Sequence, residues 1–288
     1  MKKIFFYGLI VSLGFSSCDK VEMPYVKNNT GGGDTTVAKV RKVLIEDFTG
    51  HTCGNCPGAA TTINTIKGTH GDKIVSVALH TNFYAEPAAA PYTYDFRTNA
   101  GNEYDLFFQP QGWPAGMINR TGYPTTTHWK NLGDWGNIVN TLVAVPPDAY
   151  IEITNAYNSS TRQLSTSIRS EFLNPLNGTY KLIVLLTEDS IVKPQKDYSQ
   201  PIGQQDIMNY VHRHVLRDCL TSISWGDALI SGAIAAGDTA VKTYNYTLPA
   251  TFPATNGIAP NENQCHVVAY IYDAATYEVI QAEEKKIK

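Results

Sequence analysis

The spacing of apolar residues along the chain changes near residue 145. Before this point, two continuous apolar runs at residues 43–48 and 74–80 are rich in β-branched side chains and predict buried strands. Residues 56–67 between them are predicted to form a helix, with Pro57 tolerated in its first turn and a glycine at its end. A strand, a helix and a second strand in this order predict a βαβ unit.

Three further elements are expected in the first half of the chain. They are a helix within residues 94–108, a strand start in GWPAGMINR at residues 112–120 and a helix around residues 131–144. After Val145-Pro146-Pro147, apolar and polar residues alternate in short stretches such as AYIEITNAY, QLSTSIRSEF, TYKLIVLLTED, KTYNYTLPATF and CHVVAYIYD. Short alternating strands separated by polar turns predict an antiparallel sandwich of immunoglobulin-like type.

The N-terminus has the layout of a secretory signal. Two lysines, the apolar run IFFYGLIVSLGF and two serines precede Cys18. Small residues directly before a cysteine resemble a bacterial lipobox, which implies that the signal is removed and that Cys18 carries lipid. A plain signal peptide cut nearby stays open as an alternative, because Phe15 stands where the usual lipobox has leucine.

Composition narrows the classes of partner. The chain has 288 residues, 43% of them apolar, and a net charge of -3, which is enough for about two domains. Lysines and arginines are scattered and form no basic stripe, so a nucleic-acid partner is not expected. Residues 19–36, with KNNTGGGDTT at their centre, have almost nothing to bury and are expected to form a flexible tether.

Cysteine number fits an exported protein. In an oxidising compartment paired cysteines are usually disulfides. If Cys18 carries lipid, Cys53, Cys56, Cys219 and Cys265 remain. These four cysteines can form two disulfides, one within CGNC and a structural one between Cys219 and Cys265. Sequence alone does not fix the connectivity.

The first half resembles the thioredoxin superfamily in three features. A CxxC pair lies between a strand and a helix, in TGHTCGNCPG. Asp47 lies six residues before Cys53, as the buried acidic residue of thioredoxins does. Trp113-Pro114 lies at a strand start and looks like the cis-proline loop of the family.

The resemblance implies a role for each of these residues. Cys53 would be the attacking nucleophile, since the positive end of a helix dipole favours a thiolate. Cys56 would resolve the mixed disulfide, and Asp47 would move protons for Cys56. A cis bond before Pro114 would shape the groove that receives a substrate strand, beside Trp113.

Some residues depart from the family pattern. Thr52 stands where thioredoxins usually have tryptophan, and Gly54-Asn55 lacks the proline of reductases and the histidine typical of oxidants or isomerases. Thr52, Gly54 and Asn55 are expected to line the groove with Trp113, whose bulk would narrow it. The direction of electron flow therefore stays open.

Other interpretations of the candidate residues were weighed. A zinc site needs about four ligands, and only His51 and His80 lie near the cysteine pair in sequence, so no metal or other cofactor is predicted. His212 and His214 would share one face of a strand but have no third ligand. A purely structural disulfide in an inactive thioredoxin-like fold is the main competitor of the redox interpretation.

The whole chain also resembles the twenty-eight-kilodalton outer-membrane lipoproteins of Bacteroidetes. The resemblance rests on FSSC, EDFTGHTCGNCP, NYVHRHVLRD and the closing VVAYIYDAATYEVIQAEEKKI. It implies an outer-membrane lipoprotein on the periplasmic or the cell-surface face. Members are described as adhesins or receptors, which implies contact with host or matrix proteins.

Together these patterns predict four segments. They are a signal peptide (1–17), a lipidated cysteine with a tether (18–37), an α/β thioredoxin-like domain (38–146) and an all-β immunoglobulin-like antiparallel sandwich (147–288). The leading hypothesis is a membrane-tethered thiol-disulfide oxidoreductase or isomerase acting on thiols and disulfides of exported or surface proteins. The alternative is a surface adhesin or receptor in which the thioredoxin-like domain is a non-catalytic scaffold.

Overall fold

The computed structural model describes residues 38–288. The predicted signal peptide, lipidation of Cys18 and tether therefore lie outside the described residues. Among residues 38–288, none of the helices combines the length and the apolar character needed to cross a membrane.

The first half of the described chain contains the three α-helices and three of the strands. In chain order these are β1 (Val43–Thr49), α1 (Cys56–His70), β2 (Ile74–His80), α2 (Asn99–Phe108), β3 (Ala115–Ile118) and α3 (Trp135–Val143). Strand β1 pairs in parallel with β2 and antiparallel with β3. The predicted strand, helix and strand around the CxxC pair are found where the apolar spacing places them.

The second half is made of strands, so the protein is mostly β-sheet with few helices. Its strands are β4 (Ala149–Asn158), β5 (Gln163–Phe172), β6 (Leu176–Glu188), β7 (Ile191–Lys196), β8 (Asp206–His212), β9 (Val215–Cys219), β10 (Asp227–Ile234), β11 (Thr239–Thr247), β12 (Cys265–Asp273) and β13 (Val279–Lys286). An eight-stranded sheet has the order β13-β12-β6-β9-β2-β1-β3, with β10 also paired to β6. A three-stranded sheet β11-β5-β4 and the hairpin β7-β8 complete the set.

The two halves share a sheet and a core, which differs from the expected division at residue 146. Strand β9 joins β2 in parallel through the pair Ala78 and Val215 and joins β6 antiparallel. Residues 39–288 form one compact unit.

The physical reason is that β6 and β12 are apolar on both faces. Alternate residues of β6, such as Val184, pack against the three-stranded sheet, and the residues between them, such as Leu185, pack with β1, β2 and α2. A strand buried on both faces needs a covering layer on each. Neither half can therefore bury its apolar surface alone.

The predicted bridge between Cys219 and Cys265 is wrong, because both cysteines are free. Cys219 lies on β9 and Cys265 on β12, and β6 runs between these strands. Two strand spacings alone account for about 9–10 Å, and the partners of the two cysteines on β6, Leu185 and Glu188, are three residues apart, which adds to the distance. A disulfide needs Cα atoms no more than about 7 Å apart.

A buried ion pair in the first half is connected to the second half by a hydrogen bond. Arg120, which follows β3, donates to both carboxylate oxygens of Glu46 on β1, from Nε at 2.8 Å and from Nη2 at 2.6 Å. Arg120 Nη2 also donates to the hydroxyl of Tyr270 on β12 at 2.9 Å. Arg120 is 0% exposed and Glu46 is 1% exposed, so the pair has no access to water.

Candidate disulfide site

The cysteine pair lies in the short connection between β1 and α1. Cys53 and Cys56 form a disulfide, and Cys56 is the first residue of α1, with Pro57 in the first turn. The amide of Cys56 donates to the carbonyl of Cys53 at 3.3 Å. The sequence therefore placed the pair correctly at the start of a helix.

The disulfide is covered by the hairpin β7-β8. The amide of Lys196 donates to the carbonyl of His51, and the amide of Tyr198 donates to the carbonyl of Gly54, each at 2.8 Å. The buried side chain of Gln195 donates to the carbonyl of Cys53 at 3.0 Å. Both cysteines are consequently only 2% exposed.

Gly54 is needed for this cover to close. A Cβ atom added at Gly54 would lie 2.4 Å from ring carbons of Tyr198. Gly54 therefore faces the ring of Tyr198 and does not line an open groove, in contrast to the expectation from the sequence. Asn55 beside it is exposed.

Thr52 and Trp113, which were predicted to line a groove, both contact Tyr84. The amide and the hydroxyl of Thr52 both donate to the carbonyl of Tyr84, at 3.1 Å. The rings of Tyr84 and Trp113 have centroids 5.5 Å apart. The bond between Trp113 and Pro114 is cis, and a cleft of about 540 Å³ lies against these two residues.

Asp47, on β1, is a buried acidic residue. It is 3% exposed, and burial raises its pKa from 3.8 to about 7. With Cys56 it lines a cavity of about 50 Å³ that reaches the surface beside the exposed residues Asn64 and Val211. A carboxyl group whose pKa lies near neutrality can give or take a proton under physiological conditions.

Three buried histidines that the sequence did not assign to a site lie near the cysteine pair: His80 and His212 line the same cavity as Cys56, and His51 precedes Cys53 in the same loop. His51, His80 and His212 are 1%, 4% and 3% exposed. Burial lowers the pKa of His80 well below 6.5 and lowers that of His212 to about 3. The rings of His80 and His212 lie 5.5 Å apart, and both contact Phe96.

The prediction that His212 and His214 share a strand face is wrong. His212 ends β8 and is buried, whereas His214 lies between β8 and β9 with a φ of 54°. Within residues 38–288, no three or more His, Cys, Asp or Glu side chains are arranged to hold a metal ion.

The pKa of Asp47 makes stability depend on pH. Between pH 3.8 and about 7 the folded chain keeps a proton that the unfolded chain releases, so the free energy of unfolding falls as pH rises through this range. We expect Asp47→Asn to be more stable than the wild type by about 2 kcal/mol at pH 8, because the amide is never ionised. Urea unfolding at pH 4 and pH 8 measures this difference. A difference of the same size at both pH values would contradict it.

Comparison with known proteins identifies a family for this chain. The model of the family described as "Outer membrane protein Omp28" matches residues 101–288, more than half of the chain. This match includes Trp113 and Pro114 and begins after the two cysteines. No curated protein sequence matches the chain.

Two of the solved structures that match the chain come from Porphyromonas gingivalis. HBP35 of Porphyromonas gingivalis has a TM-score of 0.62 and 15% sequence identity, over 87% of this chain and 76% of that one. A domain of the outer membrane lipoprotein Omp28 from Porphyromonas gingivalis has a TM-score of 0.33 and 18% identity, over 49% of this chain and 89% of that one. At these identities, the similarity to HBP35 shows a shared fold only.

Proposed function

Because the chain belongs to the Omp28 family of outer membrane proteins, we propose that it is a lipid-anchored thiol-disulfide oxidoreductase or isomerase of the outer membrane. Its anchor would be Cys18, and its partners would be thiols and disulfides of exported or surface proteins. The observation that carries the proposal is the disulfide at the start of α1, with the buried carboxyl group of Asp47 on the same cavity as Cys56.

The sheet supports a thioredoxin-like interpretation of the first half. Strands β3, β1 and β2 are neighbours in that order, and β3 runs antiparallel to β1 directly after Pro114. Strand β9, from the second half, takes the next position beside β2. The three-stranded sheet packed on β6 and β12 supports the sandwich interpretation of the second half.

The exchange would proceed in two balanced steps. A thiolate of the partner attacks Sγ of Cys53, and the bond between the two sulfurs breaks with its electron pair on Sγ of Cys56. That thiolate takes the proton of Asp47, which leaves a carboxylate. In the second step, a second thiolate of the partner attacks the partner sulfur bound to Cys53, which forms the partner disulfide and releases Cys53 as a thiolate. When the protein reduces a partner instead, the thiolate of Cys53 attacks the partner disulfide and releases one partner thiolate. Asp47 then removes the proton of Cys56, which attacks Cys53 and releases the second partner thiolate.

The hairpin β7-β8 restricts access of a partner to the disulfide. A partner cannot reach the sulfur of a cysteine that is only 2% exposed, so residues 196–198 must move away from the loop that carries Cys53. Lys196 and Asp197 are half-buried and Tyr198 is exposed, and local opening of such segments costs less than global unfolding. Access to the disulfide would thus be governed by an opening equilibrium.

We expect Tyr198→Ala to speed reduction of the disulfide by dithiothreitol. Loss of about 1.4 kcal/mol of packing in the closed state raises the open population about tenfold. Stopped alkylation followed by mass measurement gives the rate. Tyr150→Ala, on the three-stranded sheet, is the matched control, and equal rates for both variants would contradict a role for the cover.

The reduction potential of the pair tests the proposed function. Equilibration of the purified protein with glutathione or dithiothreitol buffers, followed by alkylation and mass measurement, gives its value. We expect a value of roughly -120 to -270 mV, the range of known oxidoreductases. A value below about -300 mV would mark a structural disulfide and overturn the proposal.

The burial of the disulfide favours a second candidate function. In this alternative the protein is a surface adhesin or receptor that contacts host or matrix proteins, and the disulfide only fixes the loop before α1. Exposed apolar side chains on the covering hairpin, Val192, Ile202 and Met208 among them, would suit such contacts.

A further inference from the structure

The cavity behind the disulfide is lined by polar atoms without partners. Among the described residues, Asp47 Oδ1, Ser76 Oγ, His80 Nδ1 and His212 Nε2 are buried side-chain atoms without a hydrogen bond, and all four residues line this cavity. Buried polar groups in proteins are almost always paired, with protein atoms or with ordered water. Four such atoms around one space indicate a site built for water.

The size of the cavity agrees with this. Its volume is about 50 Å³, and a water molecule needs at least about 10–15 Å³ measured in this way, so it has room for about two or three. Each water molecule needs two to four polar partners. The four unpaired atoms supply them.

Cys56 and Asp47 also line this cavity, so water in it connects the buried sulfur to the carboxyl group. The titratable and charged groups around it come from every element that packs there: Asp47 on β1, Cys56 on α1, His80 on β2, and Tyr210, His212, Arg213 and His214 on and after β8. His51 lies close enough to act on the charge of His80 and His212. Arg213 is exposed, so the lining reaches the surface.

The histidines suit a role as acceptors. Burial keeps both rings neutral at neutral pH, because it lowers their pKa values. A neutral ring has one nitrogen with a free lone pair, which accepts a hydrogen bond from water. His80 and His212 can therefore orient water without adding a positive charge beside Asp47.

We propose that His80, His212 and Ser76 position two or three internal water molecules through which the proton of Cys56 reaches Asp47 during disulfide exchange. This inference rests on the proposed redox function. In the resolving step, the proton leaves Sγ of Cys56 for a water molecule while that chain of water delivers a proton to Asp47 Oδ1. The electron pair left on Sγ then forms the bond to Cys53, and the partner leaves as a thiolate.

The test compares variants that remove the acceptor with variants that keep it. His80→Phe and His212→Phe preserve the ring contacts with Phe96 but cannot accept from water, whereas His80→Gln and His212→Gln keep an acceptor oxygen. His70→Phe, at the exposed end of α1, is the control. Ser76→Ala removes one hydrogen-bond partner of the water with little change in volume. It replaces the phenylalanine variants in the test if these do not fold.

The measurement is the rate of the resolving step in the full chain, with a glutathione mixed disulfide at Cys53 as the probe, between pH 5 and pH 9. We expect the phenylalanine variants to be about tenfold slower at the plateau, with the same pH midpoint, and the glutamine variants to recover most of the rate. Ser76→Ala should be slowed in the same way. If the phenylalanine variants show the rate and pH profile of the wild type, the inference is overturned and the proposed function stands. If these variants do not fold, the same result in Ser76→Ala overturns the inference. Absence of resolution in the wild type would overturn both.

Discussion

Cys53→Ser is expected to abolish thiol-disulfide exchange, and Cys56→Ser is expected to hold the partner in a mixed disulfide. The reason is the order of the two steps, in which Cys53 takes the partner and Cys56 releases it. A hydroxyl in place of the first sulfur removes the nucleophile, since serine is unreactive at its ordinary pKa without a strong base. We expect a loss of about 10³-fold or more in the rate for Cys53→Ser.

Exchange with a fluorescent glutathione disulfide measures the rate, and gels without reductant reveal the trapped partner. Cys219→Ser is the control, because Cys219 is a free cysteine outside the pair. If Cys53→Ser exchanged with the glutathione disulfide at the rate of the wild type, the proposed redox function would be contradicted. If the folded double variant Cys53→Ser/Cys56→Ser then still bound host or matrix protein, the adhesin alternative would take its place.

Arg120→Met is expected to lower the free energy of unfolding by about 3–5 kcal/mol. Methionine removes the positive charge and leaves Glu46 buried without a counterion. Removing one partner of a buried ion pair is strongly destabilising, because the remaining charge stays buried and unpaired. The pKa of Arg120 is raised above its ordinary value by Glu46 despite its burial, so the guanidinium is charged in the fold. Urea unfolding gives the difference.

Two further variants make this prediction specific to burial. Arg120→Met/Glu46→Leu replaces both charges and is expected to regain most of the loss, because an apolar pair no longer pays for desolvation. Arg97→Met breaks partly exposed pairs with Glu86 and Asp95 and is expected to cost less than about 1 kcal/mol. Equal losses for Arg97→Met and Arg120→Met would contradict the argument.

The local part of the site could be predicted from the sequence. Asp47, Cys53 and Cys56 lie within one strand, one turn and one helix start, and the apolar spacing of residues 43–48 is enough to predict these. The family was predicted from motifs at both ends of the chain, and the match over residues 101–288 confirms it. Short-range patterns carry this information because the contacts are short-range.

The cover and the cavity could not be predicted, because they depend on contacts between distant segments. Strand β7 contains Pro194, which argues against a strand in a sequence pattern, and its pairing with β8 shifts register beside it. His80 and His212 are 132 residues apart in the chain. The wrong bridge between Cys219 and Cys265 has the same origin, since sequence does not show that β6 lies between their strands.

The covering hairpin also bears on the order of events during export. Lys196 follows Cys56 by 140 residues, and chains generally fold from the N-terminus as they emerge. The two sulfurs therefore meet the oxidising enzymes of the periplasm while the segment that will cover them is still to arrive. We expect the disulfide between Cys53 and Cys56 to form early, before the hairpin β7-β8 has folded over it. Each later exchange would then require this hairpin to open again.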